Sequence, residues 1–441
     1  MDTKCTGCWK IVTGILLLFS CTATKTSRPA EAMQLSPIQT GTADTSRSDM
    51  FLENLLKRYP QYFDSVLQNR KEWNVQICYT RIGKPGGPGN GLETHYFNTD
   101  PGRYFYPAST VKLPIVLLAL QKLNELREKG IDRNTTMITE TAAARQTAVY
   151  NDPSAPDGRP SIGQYIRKIL LVSDNDAYNR LYEFLGQDYI NTELHKKGYK
   201  DVQILHRLNV FLPADENRFT NPVLFTDTNG TVIYRQPAQK GSLVFSKRND
   251  RLGKGYYSGG QLINGPMDFS GKNRISLPDL HQVLISLVFP ERVPAYQRFT
   301  ISRDDRDFVL QYMSQLPTET LSPPYADDTA GYWPAYSKFL LLGAAKGPWP
   351  ENIRIFNKEG DAYGHMLDVA FVVDYKQETA FFLSAVIYCN SDGILNDDKY
   401  DYNTIGLPFM KNLGKLIYDY EKANRRKNVI DMNSFIFKYD K

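Results

Sequence analysis

The sequence predicts an α/β protein of two lobes, with an antiparallel sheet built from both chain ends and a helical lobe inserted between them. Three observations carry this. Strand-like segments gather near the start and near the end, and segments of helical periodicity fill the middle. The chain has 441 residues, 41% hydrophobic and 23% charged, which suits a globular protein with a sizeable core and excludes disorder, collagen and a coiled coil. No internal repeat is present, so a solenoid is excluded as well. Length alone suggests about three domains of roughly 150 residues, but a sheet shared by the two ends argues for one. The net charge of +5 is spread thinly, without the runs of Lys and Arg among aromatics that mark a nucleic-acid groove.

The first 20 residues stand apart. Lys4 and Lys10 precede an apolar stretch over 11–19. At about 1.5 Å per residue it cannot cross a bilayer core of roughly 30 Å, so it reads as a signal peptide. Leu18-Phe19-Ser20-Cys21 resembles a bacterial lipobox, which implies cleavage before Cys21, a lipid anchor on it and a place in the cell envelope. Residues 21–49 are then a lipidated, Thr-, Ser- and Pro-rich tether. Cys5 and Cys8 leave with the signal. Cys78 and Cys389 remain, both on strand-like segments, either as a cross-strand disulfide or as two small buried hydrophobes. Five scattered histidines without HExxH give no metal site.

The folded body begins at 50. Apolar spacing predicts a helix over 50–68, a strand over 74–82, a Gly- and Pro-rich hairpin connection over 83–91 and a strand over 94–98. That connection lacks the GK[ST] ending of a phosphate loop. Helices follow over 108–129, 162–172, 177–185 and 277–289. Strands return over 353–357, 367–373 and 380–388, and a helix over 407–423 precedes a charged tail, 426–441. Residues 222–272 are rich in Gly, Asn, Thr and Lys, lack periodicity and read as an insertion.

The chemistry lies in three short motifs. Ser109-Thr110-Val111-Lys112 opens the apolar helix of 108–129, and residues three apart on a helix share a face. A serine hydroxyl needs a base, which a partly desolvated lysine supplies, and a helix N-terminus offers N–H groups to an oxyanion. Ser173-Asp174-Asn175 falls in the break between two helices. Lys358-Glu359-Gly360 falls between two strands, unlike the Lys-x-Gly matches at Lys84 and Lys196.

In this order the three resemble the motifs of the active-site serine penicillin-recognising enzymes, in their class A β-lactamase-like branch; such a motif set is a known signature. Tyr-Pro-Ala-Ser-Thr-Val-Lys and the run from Lys358 through Val372 extend the likeness, which covers roughly 50–425 outside the insertion. It implies a β-lactamase/transpeptidase-like fold and one catalytic domain over 50–425. It also implies a monomer without cofactor that acts on a small-molecule or peptide substrate, the activity of antibiotic resistance. Ser109 would be the acylated nucleophile, Lys112 its proton acceptor or relay, Ser173 a proton donor to the leaving group and Asn175 a hydrogen-bond partner of a substrate amide. Lys358, Glu359, Gly360 and Asp361 would line the substrate, with the backbone N–H groups of Ser109 and Asp361 as the oxyanion hole.

Two departures are expected to matter. Glu359 replaces the hydroxyl residue that binds a substrate carboxylate, so it either repels an anion or pairs with Lys358 or an arginine. In His206-Arg207-Leu208-Asn209-Val210-Phe211-Leu212-Pro213, Leu212 stands where class A β-lactamases carry the deacylating glutamate; Asp215 or Glu216 are the candidates to replace it. The alternatives are therefore a D,D-peptidase or penicillin-binding protein acting on cell-wall peptides, and an envelope binding protein impaired in turnover.

Overall fold

The computed structural model describes residues 46–427 and 429–441. The signal, Cys21 and most of the tether lie outside the described residues. The described residues begin a few positions before the expected start of the body, and there Arg47 and Thr99 exchange backbone hydrogen bonds of 2.7 and 3.0 Å.

The helix expected over 50–68 is two, α1 (Met50–Lys57) and α2 (Pro60–Gln68). Pro60 causes the break. Its ring bars helical geometry from the residue before it, and Tyr59 sits at φ −130°, ψ 64°. Strands β1 (Gln76–Ile82) and β2 (Leu92–Phe97) form the expected hairpin. The turn closes at Gly91, at φ +77°, where a Cβ would come within 2.3 Å of the Lys84 carbonyl oxygen. Strands β3 (Ile353–Ala362), β4 (His365–Asp374) and β5 (Thr379–Tyr388) complete one antiparallel sheet, in the order β3-β4-β5-β1-β2. Both chain ends thus meet at the β5–β1 pair.

Strand β4 is buried on both faces. Val369, Phe371 and Val373 face a core shared with α3 (Lys112–Glu125), α4 (Ile162–Val172) and α5 (Asn175–Leu185). Met366, Ala370 and Val372 face the other core, made by α1, α2 and the C-terminal helix. This two-sided burial is why β4 reads as an almost unbroken apolar run. Helix α3 is apolar all round, with Leu113 to Leu120 inaccessible to solvent, as a central helix must be. The chain continues through α6 (Gln187–Lys196), the short α7 (Ala214–Arg218), α8 (Leu277–Val288), α9 (Arg303–Ser314) and α10 (Leu407–Ala423). Sequence periodicity had not separated α6 and α9 from their surroundings.

The insertion is a set of short β-ribbons. Val223–Thr226 pairs with Thr136–Thr139 and Val232–Gln236, while the hairpin of Gly255–Ser258 and Gln261–Asn264 is joined in parallel by Ile394–Leu395 just after β5. The tail does not leave the body at 425. Val429 and Phe435 are buried in the same core as α3 and α4. Cys78 and Cys389 are free thiols in separate clusters, one with Tyr104 and Leu367 and the other with Met410 and Ile387. They are therefore two buried hydrophobes, and burial raises both thiols above their ordinary range. No helix among the described residues is long and apolar enough to cross a membrane.

Candidate active site

The site lies where three segments converge. The first departs from expectation, because the chain enters α3 through a tight 3-10 turn, Ala108–Val111, that carries Ser109. Ala108 has φ +46°, a left-handed conformation that an alanine rarely holds unless its surroundings fix it. Strand β3 supplies the surroundings. It runs past Asn357, the expected end, to Ala362, so Lys358, Glu359, Gly360 and Asp361 are strand residues. Gly360 lies against the turn: a Cβ there would meet the Ser109 nitrogen at 2.6 Å and the Thr110 nitrogen at 3.0 Å. Only glycine permits this approach.

The second segment is the α4–α5 junction. Ser173 ends α4 in the left-handed conformation, at φ 61°, which turns the chain sharply. Asp174 then caps α5, its carboxylate accepting from the Ala177 N–H at 2.8 Å. The junction holds Ser173 and Asn175 over Lys112.

Lys112 is wholly buried at the centre. Its Nζ stands 2.8 Å from Ser109 Oγ, 2.5 Å from the Ser173 carbonyl oxygen, 2.7 Å from Asn175 Oδ1 and 3.2 Å from Ser173 Oγ. Burial pushes this amine well below the ordinary lysine range, and the positive charge of Lys358 pushes it further. Ser173 O and Asn175 Oδ1 can only accept from this nitrogen, whereas Ser109 Oγ accepts from it when it is charged and can donate to it when it is neutral.

Lys358 is buried on the far side of Ser173. Its Nζ donates to Ser173 Oγ at 2.8 Å and to the Glu359 carbonyl oxygen at 3.0 Å, and pairs with Glu359 Oε1 at 2.9 Å. Glu359 thus takes the pairing alternative, with Lys358 as its partner. Ser173 Oγ bridges the two lysines. The structure therefore brings together Ser109, Lys112, Ser173, Asn175, Lys358 and Glu359, with Gly360 beneath the turn.

In front of Ser109 is a cavity of about 660 Å³ that Asn175 and Asp361 also line. Residues 206–211 of the loop line it as well. Leu212, Ala214 and Asp215 line a neighbouring cavity of about 1130 Å³, and Glu216 is spent in an exposed ion pair with Arg145. The structure thus does not bring Asp215 or Glu216 to Ser109, because the short α7 turns both residues away. Sequence reasoning missed the wall formed by Tyr257, Ser258, Gly259, Lys272, Asn396, Asp398 and Tyr400. These residues belong to the insertion and to the segment after β5, and the weak periodicity there left nothing to place them.

A sequence model of the Beta-lactamase enzyme family matches residues 61–420, most of the chain. No curated protein matches it. Among solved structures the chain is similar to PBP-A, at 15% identity and a TM-score of 0.44, over 86% of this chain and 100% of that one. It is similar to a beta-lactamase from Sphaerobacter thermophilus at 15% identity and 0.43, over 82% and 97%. It is also similar to a class A beta-lactamase from Clostridium kluyveri at 14% and 0.43, over 82% and 98%.

Proposed function

The chain belongs to the Beta-lactamase enzyme family, and from that premise we propose that it is an active-site serine hydrolase. It forms an acyl-enzyme on Ser109 with a β-lactam or a related amide or ester. One observation carries this reading: the nitrogen of a buried lysine, whose charged form burial and Lys358 disfavour, stands 2.8 Å from the Ser109 hydroxyl. Lys112 takes that proton as Ser109 Oγ attacks the carbonyl carbon. The backbone N–H groups of Ser109 and Asp361 receive the oxyanion. As the C–N or C–O bond breaks, the proton returns from Lys112 through Ser173 Oγ to the leaving group. Lys358, 2.8 Å from Ser173 Oγ, holds that hydroxyl in line.

Hydrolysis of the acyl-enzyme needs a second base for water. The acids lining the cavity are Asp361 and Asp398, and none sits on the loop 206–211. The acyl-enzyme is therefore long-lived. That favours, as a second reading, a D,D-peptidase or penicillin-binding protein acting on cell-wall peptides. Incubating the full chain and Ser109→Ala with a chromogenic cephalosporin and a fluorescent penicillin separates the two. Fast turnover supports a β-lactamase, and a stable label on Ser109 supports the second reading. If folded protein shows neither turnover nor a label, the β-lactam reading fails.

The lipobox-like Leu18-Phe19-Ser20-Cys21 supports a further part of the proposal, attachment to a bacterial envelope membrane through lipid on Cys21. Intact-mass measurement of the mature protein tests it: an unmodified chain that does not start at Cys21 sinks the idea.

A further inference from the structure

The cavity in front of Ser109 is lined by three charged side chains that form no direct salt bridge among the described residues, although Asp361 also feels the positive charges of Lys358 and Lys112. Lys272, from the insertion, lies half-buried with its ammonium 5.9 Å from the Tyr363 ring, and no described carboxylate pairs with it. Its neighbours differ: Arg248 and Arg274 both pair with Asp250, at 3.0 and 3.6 Å. Asp361 on β3 and Asp398 after β5 line the same cavity, and no described lysine or arginine forms a salt bridge with either. Lys272 is half-buried while Asp361 and Asp398 are exposed at the rim, so the cost of desolvating the two acids falls only when a ligand covers them, and a cavity lined by charges of both signs favours a ligand that meets each with its opposite.

Lys358 cannot supply the missing cation. An ammonium has three donors, and those of Lys358 face Ser173 Oγ, the Glu359 carbonyl and the Glu359 carboxylate. A substrate anion must be met elsewhere. Lys272 is placed for this, because it lines both the Ser109 cavity and the larger one beside it, and His206, Val210 and Phe211 are shared between them too.

Building on the Ser109 acyl-enzyme reading, we propose that this cavity receives a zwitterionic, amino-acid-type group on the acyl part of the substrate. Lys272 binds its carboxylate, and Asp361 and Asp398 bind its ammonium. A neutral acyl chain would desolvate all three charges without return.

Four activated esters that differ only at the acyl end test this: one zwitterionic, one with a carboxylate, one with an ammonium and one uncharged. The zwitterionic ester is expected to show the highest kcat/KM. Lys272→Ala should lower kcat/KM roughly ten-fold for the two carboxylate-bearing esters and leave the other two unchanged, while Lys272→Arg retains the preference. Asp398→Asn should do the same for the two ammonium-bearing esters. Equal losses on all four esters, no loss on any, or a preference for the uncharged ester overturns the proposal. If the uncharged ester and a fluorescent penicillin both fail to acylate Ser109, the reading beneath it fails as well, and that failure is visible before any variant is made. Melting temperatures guard against misfolding, and a variant that unfolds is replaced by Lys272→Gln.

Discussion

The nucleophile's surroundings and the loop that follows them are built to different standards. Around Lys112, four oxygens from two segments stand within 3.2 Å of one buried nitrogen. Along 206–216 the polar side chains serve the fold. Arg207 is fixed by Glu183 at 2.8 Å, Asn217 donates to the Leu212 carbonyl at 2.9 Å, and Glu216 is paired with Arg145. The first region suits the proposed acylation of Ser109. The second has no group aimed at the water that would break the acyl bond. On the proposed mechanism, acylation and deacylation are thus separable, and this geometry favours the first.

The largest test of the contrast is Lys112→Ala. Removing the base should slow Ser109 labelling by about 10³-fold, since positioned general bases contribute roughly 10²–10⁴. Stopped-flow labelling with a fluorescent penicillin measures it, and a loss under ten-fold would break the assignment. Next comes the loop. Asn209 lines the Ser109 cavity at φ +55°, a conformation that aspartate tolerates, whereas Leu212 lines the neighbouring cavity. Asn209→Asp should therefore speed release of the label by about ten-fold or more, and Leu212→Glu should leave it unchanged. The reverse result would mean that the loop moves.

Smaller effects sharpen the geometry. Gly360→Ala, which would force a methyl onto the Ser109 nitrogen, should cost about 1–3 kcal/mol of stability by denaturant titration and slow labelling together with it. The pH profile follows from sign. Lys112 must be neutral to act, so labelling rises with pH as the lysine loses its proton, and the acid limb lies below the ordinary lysine range. Removing a positive neighbour by Lys358→Ala should move that limb to higher pH, and neutralising a negative one by Glu359→Gln should move it lower. Limbs that stay put in both variants would assign the titration to another group. Last, a reducing agent should leave the melting temperature unchanged, since Cys78 and Cys389 are free.

Much of this was legible in the sequence because it is written locally. Ser109 and Lys112 share a helical face, helical spacing over 177–185 marks α5, and the strand-like segments over 74–82 and 380–388 mark the sheet. Glu359 was legible as an anomaly, but its resolution was not, since pairing with the adjacent Lys358 depends on how β3 extends beyond Asn357. The insertion was opaque for a physical reason. Gln261–Asn264 is exposed on both faces, and Val232 and Ile233 are exposed as well, so burial wrote no alternation there. The tail looked like a charged end because two buried residues, Val429 and Phe435, are too few to make a period.

The meeting of the two chain ends in one sheet sets a rule for biogenesis. Tyr79 on β1 hydrogen-bonds Glu421 on α10 across 342 residues of chain, and Lys358 reaches Ser173 across 185. Contacts of such sequence separation carry a loop-closure cost before they return anything, so they form late. A nascent chain that has delivered Ser109, Lys112 and Ser173 still lacks β3, and with it Lys358 and the strand that props the nucleophile turn. On the proposed mechanism, a chain that ends before β3 lacks Lys358 and the strand beneath the nucleophile turn, and its Ser109 should not label.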